Sequence, residues 1–357
     1  MKKPALLCIA LISTLLSLAQ ASITGKVIDA ESKEPLQGAS VFAQNTTRGT
    51  TTDKEGVFHL ALDKGGYDLI ISFTGYSNQT IKVSGSDNVQ PLTVTLSKAD
   101  NSMSEVIITS SNEVPDGWTK YGKFFIDHFI GATPFADSCQ LQNPQALKFL
   151  YFKRTDRLKV LATEPLQIAN RALGYQLRYN LDSFVYFFKT DVNAYRGVCL
   201  YTPIEGTAAE QGRWKTAREQ AYHGSRLHFL RAYYDSALRQ EGFTVDLLSS
   251  TTANKFDRLV NPYDTSYYFY NDTTAEAELW FPVEASISYK RPPEKQYLQQ
   301  YGLPLLVPNQ ISYVTLTDGI IIKPNGYFFD QKSWINKGYW SWKNLADQLP
   351  YDYDPDR

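Results

Sequence analysis

The sequence predicts a mixed protein, with an all-β seven-stranded sandwich at the N-terminus followed by an α+β domain of mainly antiparallel strands. Three observations lead there. Between Ser22 and Ser97 apolar residues alternate with period two and are cut by turn residues at short intervals. Beyond Gly117, runs rich in Tyr, Phe, Leu and Val are interleaved with segments of helical period. Between the two, residues 98–116 are polar and small apart from a short strand at Val106–Thr109, and read as a connector. The expected domains are therefore 22–97 and 117–357.

Residues 1–21 stand apart. Lys2 and Lys3 precede an apolar run from Ala5 to Ala19, and the segment closes on Ala19-Gln20-Ala21, the form of a secretory signal peptide. The run falls short of the ~20 residues of a spanning helix, and no later run reaches that length. An exported chain in the periplasm, or peripherally associated with the outer membrane, with no transmembrane helix after cleavage is expected. Lipid attachment needs a cysteine directly after the run; the next one is Cys139. The net charge is −1 with acids and bases scattered, so no basic stripe points to nucleic acid. Cys139 and Cys199 remain after cleavage; a bridge between them would contribute roughly 4 kcal/mol, and two free thiols are the equal alternative.

In the first domain strands are expected near 22–29, 39–45, 49–53, 56–62, 67–75, 78–84 and 91–97. In "GVFHLAL", Phe58, Leu60 and Leu62 fall on one face and Val57, His59 and Ala61 on the other. Asp53 and Glu55 before Gly56 supply too few oxygens for a calcium loop and read as a turn. In the second domain "GWTKYGKFFIDHFIG" has helical spacing, and "ALKFLYFK", "RLKVLAT", "LGYQLRYNLDSFVYFFK" and "YRGVCLYTPI" read as strands. A helical block follows over about 208–241. Strands resume in "GFTVDLLS", "AELWFPVEASISYK", "ISYVTLT" and "GIIIK", and the chain closes with a short helix and an acidic, aromatic tail.

"GKVIDAESKEPLQGASVFAQNTTRGTTTDKEGVFHL", with "LIISFTGYSNQTIKV" and "VTLSKADNSMSEVIIT", resembles the carboxypeptidase-like regulatory domain of exported Bacteroidota proteins over about Ile23 to Thr109. The resemblance implies a transthyretin-like sandwich without catalytic residues, placed before the plug of TonB-dependent outer-membrane receptors or before unrelated periplasmic domains. Residues 117–357 are too few for a barrel of about 22 strands, so a different domain is expected there. "NPQALKFLYF", "PLQIANRALGYQLRYNLDSF", "REQAYHGSRLHFLRAYYDSALRQEGF" and "GYWSWKNLADQLPYDY" resemble a recurrent C-terminal region of these same proteins, one of unknown function.

The chemistry is sparse. A metallocarboxypeptidase needs His-x-x-Glu, and none of the four histidines has Glu three residues on. Within "REQAYHGSRLHFLR", Ser225 with His223 or His228 has the residue types of acyl transfer, but no nucleophile-elbow sequence surrounds it. The favoured reading makes Ser225 the cap of a helix whose buried face carries Leu227, Leu230, Tyr234 and Leu238 as far as Gly242. Glu164, Asp182, Glu205 and Glu284 lie in or near strands and read as surface acids. The tyrosines of "YDTSYYFYND" are too many to point inward together, which marks a binding surface.

The sequence therefore points to a non-enzymatic envelope protein that contacts a glycan or an envelope protein, with no cofactor and no metal. Its candidate binding residues are Arg171, Arg218, Tyr222, His223, His228, Arg231, Tyr267 and Tyr268. The alternative is a periplasmic hydrolase of polysaccharide or peptide. Convergence of Arg171, His223, His228 and a carboxylate in one pocket would favour the enzyme, and a flat aromatic face the binder.

Overall fold

A computed structural model describes residues 21–84, 90–99, 112–190, 192–249, 255–329 and 331–356. The expected signal segment, apart from Ala21, and the connector strand Val106–Thr109 lie outside the described residues.

The N-terminal seven strands fall where the alternation places them. They are β1 (Ala21–Asp29), β2 (Ser40–Ala43), β3 (Gly49–Thr51), β4 (Val57–Leu62), β5 (Gly66–Ser72), β6 (Gln79–Ser84) and β7 (Leu92–Leu96). One sheet has the order β4-β1-β7 and the other β3-β2-β5-β6. All neighbours are antiparallel except β1 and β7. Phe58, Leu60 and Leu62 of β4 are buried against Ile23, Val41, Leu69 and Val94. Each such side chain contributes roughly 1.5–3 kcal/mol of transfer free energy. Asp53 Oδ1 accepts the Glu55 and Val57 amides, so the Asp53–Gly56 stretch is a turn, as its sequence indicates.

The next section comprises α1 (Gly117–Phe129), β8 (Cys139–Leu141), β9 (Leu147–Phe152), β10 (Arg157–Ala162), β11 (Leu166–Asn170), β12 (Tyr175–Phe187) and β13 (Val192–Pro203). The six strands make one antiparallel sheet around β12. This long strand pairs with β11 through Tyr175–Tyr179, with β10 through Phe184–Phe187, and with β13 along its other edge. On β12, Tyr175, Leu177, Tyr179 and Leu181 are buried beneath Phe125 and Phe129 of α1. Gln176, Arg178, Asn180 and Asp182 face the opposite way, as the two-residue period of a strand requires. Cys139 and Cys199 are free thiols. They sit on β8 and β13, three strand spacings apart across the sheet, about 14 Å and beyond the reach of a bridge.

The last section holds α2 (Ala208–Tyr222), α3 (Arg226–Tyr234), α4 (Lys295–Gln300) and α5 (Tyr339–Trp342). Its strands are β14 (Phe243–Leu248), β15 (Phe256–Arg258), β16 (Tyr268–Asn271), β17 (Glu276–Leu279), β18 (Ala285–Tyr289), β19 (Gln310–Leu316), β20 (Ile320–Ile322) and β21 (Trp334–Gly338). A five-stranded sheet, β15-β14-β18-β19-β21, and a three-stranded one, β16-β17-β20, enclose Phe229, Tyr233, Ile287, Val314, Trp334 and Trp340. Two expectations need correction. The helical block stops at Tyr234 instead of reaching 241, because Ser236 takes φ 54° and the Tyr263 hydroxyl accepts the Leu238 amide. "AELWFPVEASISYK" is two strands, parted at Pro282, which cannot donate to a ladder.

The sandwich is fastened to both later sections. Asn45 N–H donates to Cys199 O at 2.7 Å and Tyr201 N–H to Thr46 O at 2.9 Å, so the β2–β3 turn lies along β13. The Asn325 side chain accepts the Gly66 N–H at 3.1 Å and donates to the Gly66 carbonyl at 3.0 Å. A Cβ on Gly66 would approach Lys323 to 2.5 Å, so only glycine permits this contact. The C-terminal tail completes the seam: Tyr351 N–H donates to Asn45 O, Asp352 accepts the Thr47 amide, and Arg48 pairs with Asp352 and Asp63.

Candidate functional site

The polar cluster that the sequence offers first is built into the packing. Thr207 and Glu210 form a reciprocal capping box that starts α2. Gly224, at φ +85°, ends it; a Cβ there would meet Gln310 and Tyr289. Ser225 then caps α3 by accepting the His228 amide at 3.1 Å, as its place before the apolar run indicates.

His228 is 2% exposed. Its Nδ1 accepts the Gly224 N–H at 3.1 Å, which makes Nε2 the protonated nitrogen, and Nε2–H donates to Glu241 at 2.9 Å. Burial holds the imidazole pKa below its usual 6.5, with Glu241 opposing the shift. With both ring nitrogens engaged, His228 has none left to take a proton from Ser225.

The other predicted residues are placed as follows. Tyr222 is buried against His228, His223 and Tyr353. Arg231 lies over the Tyr222 ring and donates to the carbonyls of Asn325 and Tyr351. Arg218 lies over Tyr175 and donates to the carbonyls of Leu173 and Gly174. Arg171 is exposed, and its carbonyl accepts the Trp214 indole N–H. Tyr268 packs on Tyr233 and Tyr263, and Tyr267 is half-buried beside it. Tyr222, His223, His228 and Arg231 come together, while Arg171 and the Tyr267–Tyr268 pair do not join them. In the "YDTSYYFYND" stretch the exposed rings are Phe269, at 58%, and Tyr270.

A concave surface lies elsewhere, between the sandwich and the outward face of β12, with a volume of about 630 Å³. Its sandwich wall carries Phe73 and Tyr76, with ring centroids 5.4 Å apart, next to Thr74 and Asn78. Tyr76 is held by its hydroxyl, which donates to Asp29 at 2.5 Å. That bond, with the Ser32 and Glu31 amides, lowers the Asp29 pKa to about 2. The facing wall carries Arg178, Asn180 and Asp182 from β12, and Glu164 from the turn before β11. Glu164 accepts from the Asn143 amide at 3.2 Å. The Asn180 side-chain oxygen is enclosed and takes no hydrogen bond among the described residues.

Residue-type reasoning passed over Arg178 and Asn180, although "YQLRYNLD" carried the signal: its apolar positions are all in register, which leaves amide, guanidinium and carboxylate side by side on the other face. Neither thiol is set up as a nucleophile. Burial pushes Cys139 up to about 12 and Cys199 further up still. Among the described residues no group of His, Cys, Asp and Glu is arranged to hold a metal, and no helix is long and apolar enough to cross a membrane.

Comparison with known proteins assigns a family to the first section of the chain. Residues 23–108 match the family model of the CarboxypepD_reg-like domain. A stretch of 70 residues is 39% identical to the TonB-dependent receptor SusC of Bacteroides thetaiotaomicron; it covers 20% of this chain and 7% of the receptor's length. Among solved structures, a Streptococcal ancillary pilin overlaps 23% of this chain and 30% of its own at 19% identity and a TM-score of 0.21. The Bacillus anthracis TIE protein overlaps 53% of this chain and 32% of its own at 14% identity and a TM-score of 0.19. The family match and the two-sheet architecture agree, and residues 23–108 thus carry a carboxypeptidase-like regulatory domain.

Proposed function

We propose that the chain is a non-enzymatic protein of the cell envelope that holds a segment of glycan in the cleft between its sandwich and β12. In this reading domains 22–97 and 117–357, joined by 98–116, supply one wall each, and the sandwich is a structural half of the site. Export behind residues 1–21, to the periplasm or to the outer-membrane surface, belongs to the same reading, as does the absence of a cofactor.

The observation that carries it is the lining of the cleft. Amide, hydroxyl, carboxylate and guanidinium groups face a pair of aromatic rings. A saccharide presents hydroxyl donors and acceptors around an apolar C–H face, and that combination satisfies both walls. A hydrolase is the second reading, favoured by Glu164 and Asp182 lining the same cleft, since glycoside hydrolysis uses two carboxyl groups across the scissile bond.

The test is calorimetric titration of the mature chain with oligosaccharides released from envelope polysaccharide, beside Arg178→Ala and Asn180→Ala, with an assay for new reducing ends. Binding lost in both variants without turnover supports the reading. Turnover abolished by Asp182→Asn transfers the site to the hydrolase. Capture of an envelope protein, lost in the same variants, makes the partner a protein. Saccharide binding that both variants leave intact removes the cleft from consideration.

A further inference from the structure

A second groove, of about 540 Å³, lies beside the hairpin β9–β10 of the six-stranded sheet. It is bounded by the start of α1, by residues 112–115 and by the hairpin turn. Its charge is out of keeping with a chain of net charge −1. Lys120, Lys153, Arg154 and Arg157 all line it, and none of the four forms an ion pair among the described residues. The one acid in the lining, Glu113, is taken by Lys148 at 3.4 Å. Asp156, in the turn, is held by the Tyr151 hydroxyl at 2.6 Å.

The cations are also held in place. Arg157 lies over the Phe152 ring at 4.4 Å, which fixes its guanidinium plane, and its enclosed Nε has no hydrogen-bond partner. Lys120 lies over Tyr121, whose ring stacks with that of Tyr151 at 6.4 Å. Four cations around one opening, where the nearby acids Glu113 and Asp156 are each held by another side chain, repel one another. That repulsion falls when an oxyanion of more than one charge sits in the groove.

We infer that this groove is a binding site for a phosphate-bearing anion, with Arg157 as its fixed fork and Lys120, Lys153 and Arg154 as the surrounding charge. A lone carboxylate needs one fork; four cations around one opening suit the multiple charge of phosphate or pyrophosphate. The same chemistry is offered by a small soluble phosphate and by a phospholipid headgroup.

The experiment uses the mature full chain with two probes: inorganic pyrophosphate by calorimetry, and sedimentation with phosphatidylglycerol–phosphatidylcholine vesicles against phosphatidylcholine alone. Binding in either arm is expected, weakening as salt rises. Pyrophosphate alone identifies a soluble ligand, and anionic vesicles identify a headgroup. The double variant Lys153→Ala/Arg154→Ala changes exposed side chains at the hairpin tip, and a matching thermal melt shows that it is folded. It should lose vesicle binding by roughly fivefold per cation and pyrophosphate binding by about tenfold. Arg157→Gln should match it, whereas Lys123→Ala, outside the groove and paired with Asp127, and Asn180→Ala, in the cleft, should bind as the parent does. Failure of both probes, or binding that the folded double variant retains, overturns the assignment.

Discussion

Around His228 the ring nitrogens, the Ser225 hydroxyl and the neighbouring guanidinium groups have structural partners, whereas on the outward face of β12 Arg178 and Asp182 are exposed. The first region gathers His, Ser, Arg and Tyr within fourteen consecutive residues, Arg218 to Arg231. The fold spends them on a helix cap, a buried imidazole and two guanidinium groups stacked on rings and bonded to carbonyls. The second region draws on residues as far apart as Phe73 and Asp182, and its side chains line an open cleft. Density of reactive residue types along the chain is thus a poor guide to a site. A helix break followed by a cap needs short polar side chains locally, and it produces the same composition as a catalytic cluster.

The contrast can be broken most directly at His228. His228→Ala removes the acceptor of a buried amide and empties a space among Tyr222, Phe243 and Tyr289. It should lower unfolding free energy by about 3 kcal/mol while the cleft keeps its ligand; chemical denaturation paired with calorimetry reads both. Stability left unchanged would mean that the imidazole is not structural.

Arg178→Ala tests the other side. Ligand affinity should fall about tenfold with unfolding free energy within about 0.5 kcal/mol of the parent. A large stability loss would instead make β12's outward face part of the core.

Ser225→Ala should cost about 1 kcal/mol, the value of a helix cap, as seen in the denaturation midpoint. It should leave envelope binding untouched; loss of any measured turnover would return Ser225 to the chemistry.

The smallest effect is in pH. The folded His228 resists protonation because it is buried, while the unfolded chain takes up the proton near pH 6.5. Protons therefore favour the unfolded chain below that value, and stability should decline as pH falls through 6.5 and continue to decline until the folded imidazole also titrates. The decline should flatten in His228→Gln. An unchanged slope there would assign it to other groups.

Much of the first sandwich is legible in advance. The seven strands follow from period-two alternation and turn residues, and the Asp53 turn from its Asx chemistry. The start of α3 follows from Ser225 before an apolar run. Its end does not, because Leu238 keeps the helical period although the chain has left the helix; the Tyr263 hydroxyl that takes its amide arrives from a distant loop. The short helix α4 and the strands β8, β11, β15 and β21 give too few residues for a period to register. Of the cleft, the sequence marks Glu164 and Asp182 as surface acids and gives no local reason to join them.

What the sequence by itself determined is whatever a window of several residues contains: alternation, caps, turns, and the family signature of residues 23–108. Only the tertiary structure decided that Asn45 and Thr46 would lie along β13, that Asn325 would grip Gly66, and that Asp352 would meet Arg48. The physical reason is range. A local pattern is enforced by neighbouring backbone groups, whereas a seam between surfaces far apart in the chain exists only once each surface has folded and excluded water from the other, and the cleft is the part of that seam left open.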